Sequence, residues 1–445
     1  MGDSVCVDGC LPRNMKYLLS SAALVAATSC TTPNPGYCPS HNCNDAGTTM
    51  DAPDPKATIR VAVTGNDAAD GITAPVKTLK RAIELANANG AITTIRLDAG
   101  RYSTANGETY PYTVPAGVTV AGTSGTVLAG THAEDGLVAE TATLSNLELN
   151  DFKTAVHAKV AVTMVGVTVK TSELGVLADG AAKITATHLT FVGRTCADIG
   201  LKALGTSQSS IDMFVVTGGT ALQHDEQASA SIANGSITDA PACTQISAAG
   251  RSLTLSNTQI MGGGSIHFGS AHLEVTLENT TIADAPGDAI SGWAHVFHMT
   301  GGELRNNGRG AAEFVGGSYT FTNVGIKGNP VFGIYLQSGT DPGILVMRGC
   351  TISGNASDGI YLFAGATGDF GTSAAPGNNT FRGNGRVGLD VDTSSSAVTA
   401  VGNTWNANTQ GANANGIYSS QLVTSQILPT AGNNFAIVAG STLQL

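Results

Sequence analysis

Apolar and polar positions alternate along this chain in short runs, and the pattern returns every 22 residues through its middle. In four successive copies the same apolar position stands 22 residues apart: Leu255, Leu277, Met299 and Phe321. Alternation with a period of two predicts strands with one buried face. A fixed repeat of this length predicts a solenoid, in which each repeat buries its apolar face by stacking on its neighbours.

Each repeat holds short β-rich runs between Gly and Asn turns, and the leucine-rich repeat signature, which can share this period, is absent. Asn257 and Asn279 recur one period apart and Asn323 two periods later. Asparagines stacked at one position can hydrogen-bond along the axis, so we expect a ladder there. The pattern therefore favours an all-β solenoid.

The composition agrees with this architecture and excludes two classes of protein. Only 12% of the residues are charged while 42% are hydrophobic, so the chain is not a disordered one. A net charge of −11 without a basic stripe argues against nucleic acid as a partner. We expect a monomer without a metal site or a resident cofactor.

The N-terminal segment predicts export. Residues 15–30 form a short basic start, an apolar run and a small-residue end, which is typical of a secretory signal. Because it ends on Cys30, it resembles a bacterial lipoprotein signal, which implies lipidation of Cys30 and anchoring at the outer membrane or cell surface. The alternative is an ordinary export signal with a chance cysteine. We assign 1–14 as an upstream misread start, 15–29 as the signal peptide and 30–56 as a flexible tether.

Export makes disulfides possible. Cys38 and Cys43 flank a short turn of the tether, and we interpret them as a local disulfide. Cys196 and Cys243 stand two repeats apart, which at the spacing of stacked coils is about 10 Å. That is beyond disulfide reach unless a loop bends inward.

Residues 57–122 predict a cap of strand, helix (76–90) and first coils, with Val76, Leu79, Ile83 and Ala86 along one helix face. The segment 63–122 resembles the N-terminal cap of bacterial right-handed parallel β-helix proteins of an uncharacterised family, a domain of unknown function, within the pectate-lyase-like superfamily. The resemblance is carried by Gly65, Asp67, Gly71, Pro75, Lys77, Thr78, Ala82, Gly100, Tyr102, Glu108, Pro111, Gly117 and Gly122. We assign the solenoid to 123–425 and a C-terminal cap to 426–445. The resemblance implies an exported, single-stranded right-handed parallel β-helix. It implies no particular reaction.

A second sequence motif recurs in the later coils, and its register predicts two outward columns of side chains. Ile334, Ile360, Leu389 and Ile417 are the inward residues of this motif, so the residue after each points outward. The first column reads His267, Ser291, Glu313, Tyr335, Tyr361, Asp390 and Tyr418. The second reads Trp293, Val315, Gln337, Phe363, Asp392 and Ser420.

These columns concentrate aromatic rings, carboxylates and amides on one strip, which suits an extended polysaccharide or cell-envelope glycan. The candidate glycan-binding residues are Trp293, Glu313, Tyr335, Gln337, Tyr361, Phe363 and Tyr418. The alternative is a purely structural aromatic ladder, since such residues also favour exposed strands.

Asp390 and Asp392 point the same way about 6.6 Å apart, a separation that could serve inverting glycoside hydrolysis. A polysaccharide lyase would instead want a basic residue and often Ca²⁺, and no lyase signature is present. Three hypotheses therefore stand: a non-catalytic glycan-binding envelope protein, a polysaccharide lyase or glycoside hydrolase, and an adhesin or spacer.

Overall fold

The computed structural model describes residues 58–238, 243–392, 397–406, 408, 417–419 and 442–444. They form a parallel β-solenoid of about 13 turns, which confirms the predicted all-β architecture. The assigned signal, the tether and the cysteines Cys30, Cys38 and Cys43 lie outside the described residues, as do most of the residues assigned to the C-terminal cap.

The coils build three parallel sheets, here numbered by their order within one complete coil. Sheet 1 contains the strands Tyr112–Val114, Leu174–Ala178, Ile199–Ala203, Thr220–His224, Ile246–Ala248, Gly310–Val315, Phe332–Gln337, Ile360–Phe363, Leu389–Asp392 and Ile417–Ser419. Sheet 2 contains Thr58–Val61, Thr94–Leu97, Val118–Gly122, Ser229–Ala233, Ser252–Ser256, Gly317–Thr322, Gly343–Arg348, Thr367–Asp369, Ala397–Thr399 and Thr442–Gln444. Sheet 3 contains Gly100–Ser103, Thr126–Ala129, Glu148–Asn150, Thr168–Lys170, Ser236–Thr238, Gln259–Met261, Thr281–Ala283, Glu303–Arg305, Gly325–Lys327, Thr351–Ser353, Thr380–Arg382 and Thr404–Asn406.

Longer strands bend from one sheet into the next. Four run from sheet 1 into sheet 2: Leu137–Ser145, Thr154–Val165, Ile266–Glu278 and Ile290–Thr300. Two run from sheet 2 into sheet 3: Lys183–Val192 and Gln208–Thr217.

The 22-residue period corresponds to one coil. Leu255, Leu277, Met299 and Phe321 are direct partners in successive strands of sheet 2, and all four are fully buried. Their side chains fill the solenoid interior, where each coil shields the apolar face of the next. The repeated apolar positions of the sequence therefore form the hydrophobic core of the protein.

The cap helix, α1, is shorter than predicted and spans Leu79–Ala88. Val76 does not belong to it, because Thr78 is the N-cap and its hydroxyl accepts a hydrogen bond from the Arg81 N–H. Val76 instead pairs with Val61 beside the first strand. A 3₁₀ helix, Thr104–Asn106, follows.

The helix N-terminus is also capped from a distance. The buried Glu108 carboxylate accepts hydrogen bonds from the Leu79 and Lys80 N–H groups at 2.9 and 3.4 Å and from the Tyr112 hydroxyl at 2.7 Å. These bonds satisfy N–H groups that the helix itself leaves open. The cap is thereby fastened to the first coils.

The expectation that Cys196 and Cys243 are too far apart was wrong, because the structure joins them in a disulfide with Cα atoms 5.2 Å apart. Both cysteines stand outside the strands. The distance between stacked coils holds only for residues paired in strands, and residues in turns can approach more closely than this. Cys350 has a free thiol and is buried.

Candidate functional site

The outward columns predicted from the sequence are real neighbours in sheet 1. The first column pairs, coil by coil, His267, Ser291, Glu313, Tyr335, Tyr361, Asp390 and Tyr418. The second pairs Val315, Gln337, Phe363 and Asp392. Trp293 lies opposite Gly269 one coil earlier. Ser420 and the side chains of Asp392 and Tyr418 lie outside what the structure describes.

Four aromatic side chains form a continuous cluster on this face, here called the aromatic platform: Phe332, Tyr335, Tyr361 and Phe363. The rings of Tyr335 and Tyr361 meet edge to face with centroids 5.3 Å apart, and Phe363 lies 5.9 Å from Tyr361. The Phe332 ring lies 5.8 Å from that of Tyr335 and is buried. Tyr335 and Tyr361 are partly exposed, and Phe363 is 36% exposed. The platform is therefore packed internally and open to solvent on top.

The Tyr335 hydroxyl is held in place. It donates to Gln337 Oε1 at 3.0 Å. Burial raises the pKa of Tyr335, and the negative charge of Glu313 raises it further. At neutral pH the group is a neutral hydroxyl that can still accept a hydrogen bond.

Below the platform lies a charged cluster, here called the lower triad: Asp288, Arg309 and Glu313. Arg309 Nη1 contacts Asp288 Oδ2 at 2.8 Å and also Glu313 Oε2. The Gly310 N–H donates to Asp288 Oδ1 at 2.8 Å. Burial raises the pKa of the Asp288 carboxyl, and the Glu313 charge adds to this, while Arg309 opposes it. The Arg309 guanidinium lies 5.4 Å from the centre of the Phe332 ring, a cation–π distance that connects the triad to the platform.

A second cluster, the upper triad, repeats this arrangement with Asp358, Arg386 and Asp390. Arg386 Nη2 contacts Asp358 Oδ2 at 2.6 Å and also Asp390 Oδ2. Asp358 and Asp390 are almost fully buried, whereas the Arg386 side chain is one-third exposed. Burial alone would lower the pKa of Arg386, but its two carboxylate partners raise it.

The two triads have the same construction. In each, the arginine lies in the turn before a sheet 1 strand, one carboxylate follows four residues later, and the other stands one coil earlier. The coils of Arg309 and Arg386 are three steps apart, about 14 Å at the spacing of stacked strands. The aromatic platform occupies the coils between them.

A family model described as "Protein of unknown function (DUF1565)" matches residues 63–410. The chain belongs to this family. No curated protein matches this DUF1565 chain. An aspartate-to-alanine variant of the catalytic domain of GH87 alpha-1,3-glucanase, in complex with nigerose, matches with a TM-score of 0.46 and 12% identity over 80% of this chain and 66% of that domain. The A-module of the mannuronan C-5 epimerase AlgE4 of Azotobacter vinelandii matches with a TM-score of 0.34 and 14% identity, over 73% of this chain and 89% of the module. The chain thus spans 66% of the length of the glucanase domain that it matches.

The turns that carry the two arginines of the DUF1565 protein are fastened by a buried asparagine ladder. Its rungs are fully buried and lie in successive coils: Asn307, Asn329, Asn355, Asn384 and Asn408. Each Nδ2 donates to the Oδ1 of the next rung at 2.9 to 3.0 Å, and each backbone N–H donates to that same oxygen at 3.0 to 3.2 Å. Arg309 and Arg386 follow rungs of the ladder by two residues, so their backbone positions are set from inside the solenoid.

The asparagine ladder that the sequence predicts, at Asn257, Asn279 and Asn323, is a different one. Asn279 does donate to Asn257, at 3.3 Å, but both residues are exposed and have left-handed backbone angles, with φ of 47° and 48°. Gly301 interrupts this column before Asn323. The signal for the buried ladder was present, since Gly-Asn recurs at 328–329, 354–355 and 383–384, each five residues before an inward apolar residue.

Of the catalytic pair predicted from the sequence, Asp390 and Asp392, the structure describes the side chain of Asp390. Asp390 occupies the predicted column but is 2% exposed, because its carboxylate turns to Arg386. The expectation of a solvated outward carboxylate was therefore wrong for Asp390. The role assigned to Asp390 and Asp392 stays a prediction.

Two features are absent from the described residues. They contain no group of three or more His, Cys, Asp or Glu side chains arranged to hold a metal ion. Nor does any helix among them have the length and apolar character needed to cross a membrane.

Proposed function

We propose that sheet 1 of this protein binds an extended glycan along the solenoid axis, over the coils between Asp288 and Asp390. The single observation that carries the proposal is the partly exposed aromatic platform flanked by two charge triads of identical construction. Sugar rings present apolar C–H faces and polar edges, so they need rings and hydrogen-bonding groups side by side.

The platform supplies the stacking surface. Tyr335, Tyr361 and Phe363 are packed against one another, so little side-chain entropy remains to be lost when a ligand covers them. An aromatic ladder that served stability alone would need no charged groups at its ends. Here an arginine that is at least partly exposed lies at each end.

The triads supply fixed polar groups. Each arginine is held by two carboxylates, and the asparagine ladder fixes the turn that carries it. A guanidinium held in this way keeps N–H donors facing outward, while Glu313 keeps acceptor capacity. Groups that are already ordered bind a ligand at a lower entropic cost.

The same contacts favour binding over turnover. A general acid or base must gain and release a proton at the reacting bond. All four carboxylates described on this face, Asp288, Glu313, Asp358 and Asp390, are ion-paired with an arginine. Such pairs suit recognition and leave no free acid–base pair among the described side chains of the face.

We further propose that the protein is exported and anchored through a lipid on Cys30. The signal-like segment 15–30 supports export, and the Cys196–Cys243 disulfide is consistent with an oxidising compartment. Mass spectrometry of the mature protein from its native membrane fraction tests the anchor. A mature N-terminus at Cys30 carrying a diacylglyceryl mass is expected, and an unmodified N-terminus would rule the anchor out.

Equilibrium binding of purified protein to a panel of soluble polysaccharides tests glycan recognition. Tyr335→Ala and Tyr361→Ala each remove a stacking surface and are expected to weaken binding at least about tenfold. Tyr335→Phe keeps the ring and should retain most of the affinity. Ile344→Ala, an exposed apolar residue on sheet 2, is the matched control and should change nothing. If the wild-type protein binds no glycan, the remaining reading is an adhesin or a structural spacer.

A carbohydrate-active enzyme is the second candidate, and one observation favours it. Burial raises the pKa of Asp288, which shares Arg309 with Glu313, so a carboxyl group of raised pKa lies close to a second carboxylate. Reducing-sugar and unsaturated-uronate assays on the same panel test it. Turnover that is lost in Asp288→Asn, or in Asp390→Asn and Asp392→Asn, would establish catalysis. Binding without any turnover would exclude it for the panel tested.

A further inference from the structure

We infer that the glycan recognised by this face is uncharged, and that polyuronates and other anionic polysaccharides are excluded. The inference rests on the proposed function and adds the substrate class. It follows from the charges of the two triads. Four carboxylates surround two guanidiniums, so the binding face carries a net charge of about −2 at neutral pH.

No other cation of these coils relieves this charge. Between residues 288 and 392 the remaining Lys and Arg residues lie on other sheets. Arg305, Lys327 and Arg382 belong to sheet 3, and Arg348 belongs to sheet 2. Arg305 and Lys327 are paired with Glu303, and Arg348 with Asp369. An anionic polymer approaching sheet 1 therefore meets a negative surface on a protein whose net charge is already −11.

The positive charge of each arginine is already balanced by the protein itself. Each already contacts two carboxylates of the protein. A uronate that approaches either guanidinium therefore also approaches two carboxylates, and displacing Asp358 or Asp390 would leave a buried charge without its partner. Arg309 is bound in the same way by Asp288, which also receives the Gly310 N–H.

Uncharged hydroxyls fit the groups that remain. A hydroxyl can donate to a carboxylate and accept from a guanidinium at the same time, whereas a uronate carboxylate can only accept. The side chains of Arg309 and Glu313 are 50% and 29% exposed, so both groups of the lower triad are open to such a hydroxyl.

Matched oligosaccharides test the inference. Isothermal titration of the whole mature protein would use a neutral gluco-oligosaccharide series and an oligouronate series of the same lengths, at low and at physiological salt. The neutral series is expected to bind at least about tenfold more tightly, with an affinity that salt hardly changes. Tighter binding of the oligouronates overturns this inference while leaving glycan recognition intact. If neither series nor the polysaccharide panel binds, both the inference and the proposed function fail.

A charge variant on the face gives an independent readout. Glu313→Gln removes one negative charge, keeps the side-chain shape and leaves Arg309 with a single carboxylate partner. We expect oligouronate affinity to rise about tenfold while neutral affinity changes less than about threefold. Glu303→Gln on sheet 3 makes the same change in net charge beside Lys327 and is the matched control. Equal effects of the two variants would show that the protein's net charge, and not this face, sets the preference.

Discussion

Replacing Asn355 by alanine removes the middle rung of the buried ladder. Asn355 Oδ1 accepts from the Asn329 backbone N–H at 3.1 Å and from Asn329 Nδ2 at 2.9 Å, and Asn355 Nδ2 donates to Asn384 Oδ1 at 2.9 Å. The variant leaves the Asn329 N–H buried without an acceptor, which costs about 1–3 kcal/mol. The other two bonds contribute about 0.5–1.5 kcal/mol each. We therefore expect the free energy of unfolding to fall by about 2–6 kcal/mol.

Denaturant unfolding followed by circular dichroism measures the total loss, and hydrogen exchange locates it. Protection should fall first in the strands Phe332–Gln337 and Ile360–Phe363, which follow the rungs Asn329 and Asn355. Asn279→Gly is the control, because it deletes an exposed ladder bond at a left-handed position that glycine adopts freely. Its cost should stay below about 0.5 kcal/mol. If Asn355→Ala costs no more than this control, the ladder does not hold the turns of the site.

Three further outcomes are expected. Burial lowers the pKa of His224 in the folded protein. As the pH falls below about 6.5, the histidine is therefore protonated in the unfolded chain before it is protonated in the folded one. The free energy of unfolding then falls by up to about 1.4 kcal/mol per pH unit. His224→Gln, which can still donate to the Ala228 carbonyl, should flatten the pH dependence of the denaturant midpoint between pH 7 and 5. An unchanged slope would show that other groups cause this pH dependence. Replacing both Cys196 and Cys243 by serine removes a disulfide across a 47-residue separation and should cost about 4 kcal/mol in the same assay. An unchanged midpoint, or alkylation of Cys196 and Cys243 in the denatured, unreduced wild type, would argue against the disulfide. Glu108→Ala should expose the amides of α1 to hydrogen exchange, because the first two N–H groups of the helix lose their acceptor. Retained protection would mean that Thr78 and Asp67 are enough to hold the helix N-terminus.

Much of the candidate site could be predicted because strand geometry is strictly periodic. Once Ile334, Ile360 and Leu389 were read as inward residues, Tyr335, Tyr361 and their neighbours had to fall in one outward column. The structure pairs them in that register. The triads escaped prediction because Arg309 and Arg386 lie in turns, where alternation gives no direction.

The sequence by itself determined the solenoid, the 22-residue coil and the outward columns of sheet 1, since each follows from the repeat and from the alternation of side chains along a strand. Only the tertiary structure decided which polar groups meet. The columns advance by 22 residues from Glu313 to Tyr335, by 26 to Tyr361 and by 29 to Asp390, as turns of unequal length intervene. Asp390 is buried against Arg386, and Cys196 reaches Cys243, because turns are free of the strand period and bring their side chains together across coils.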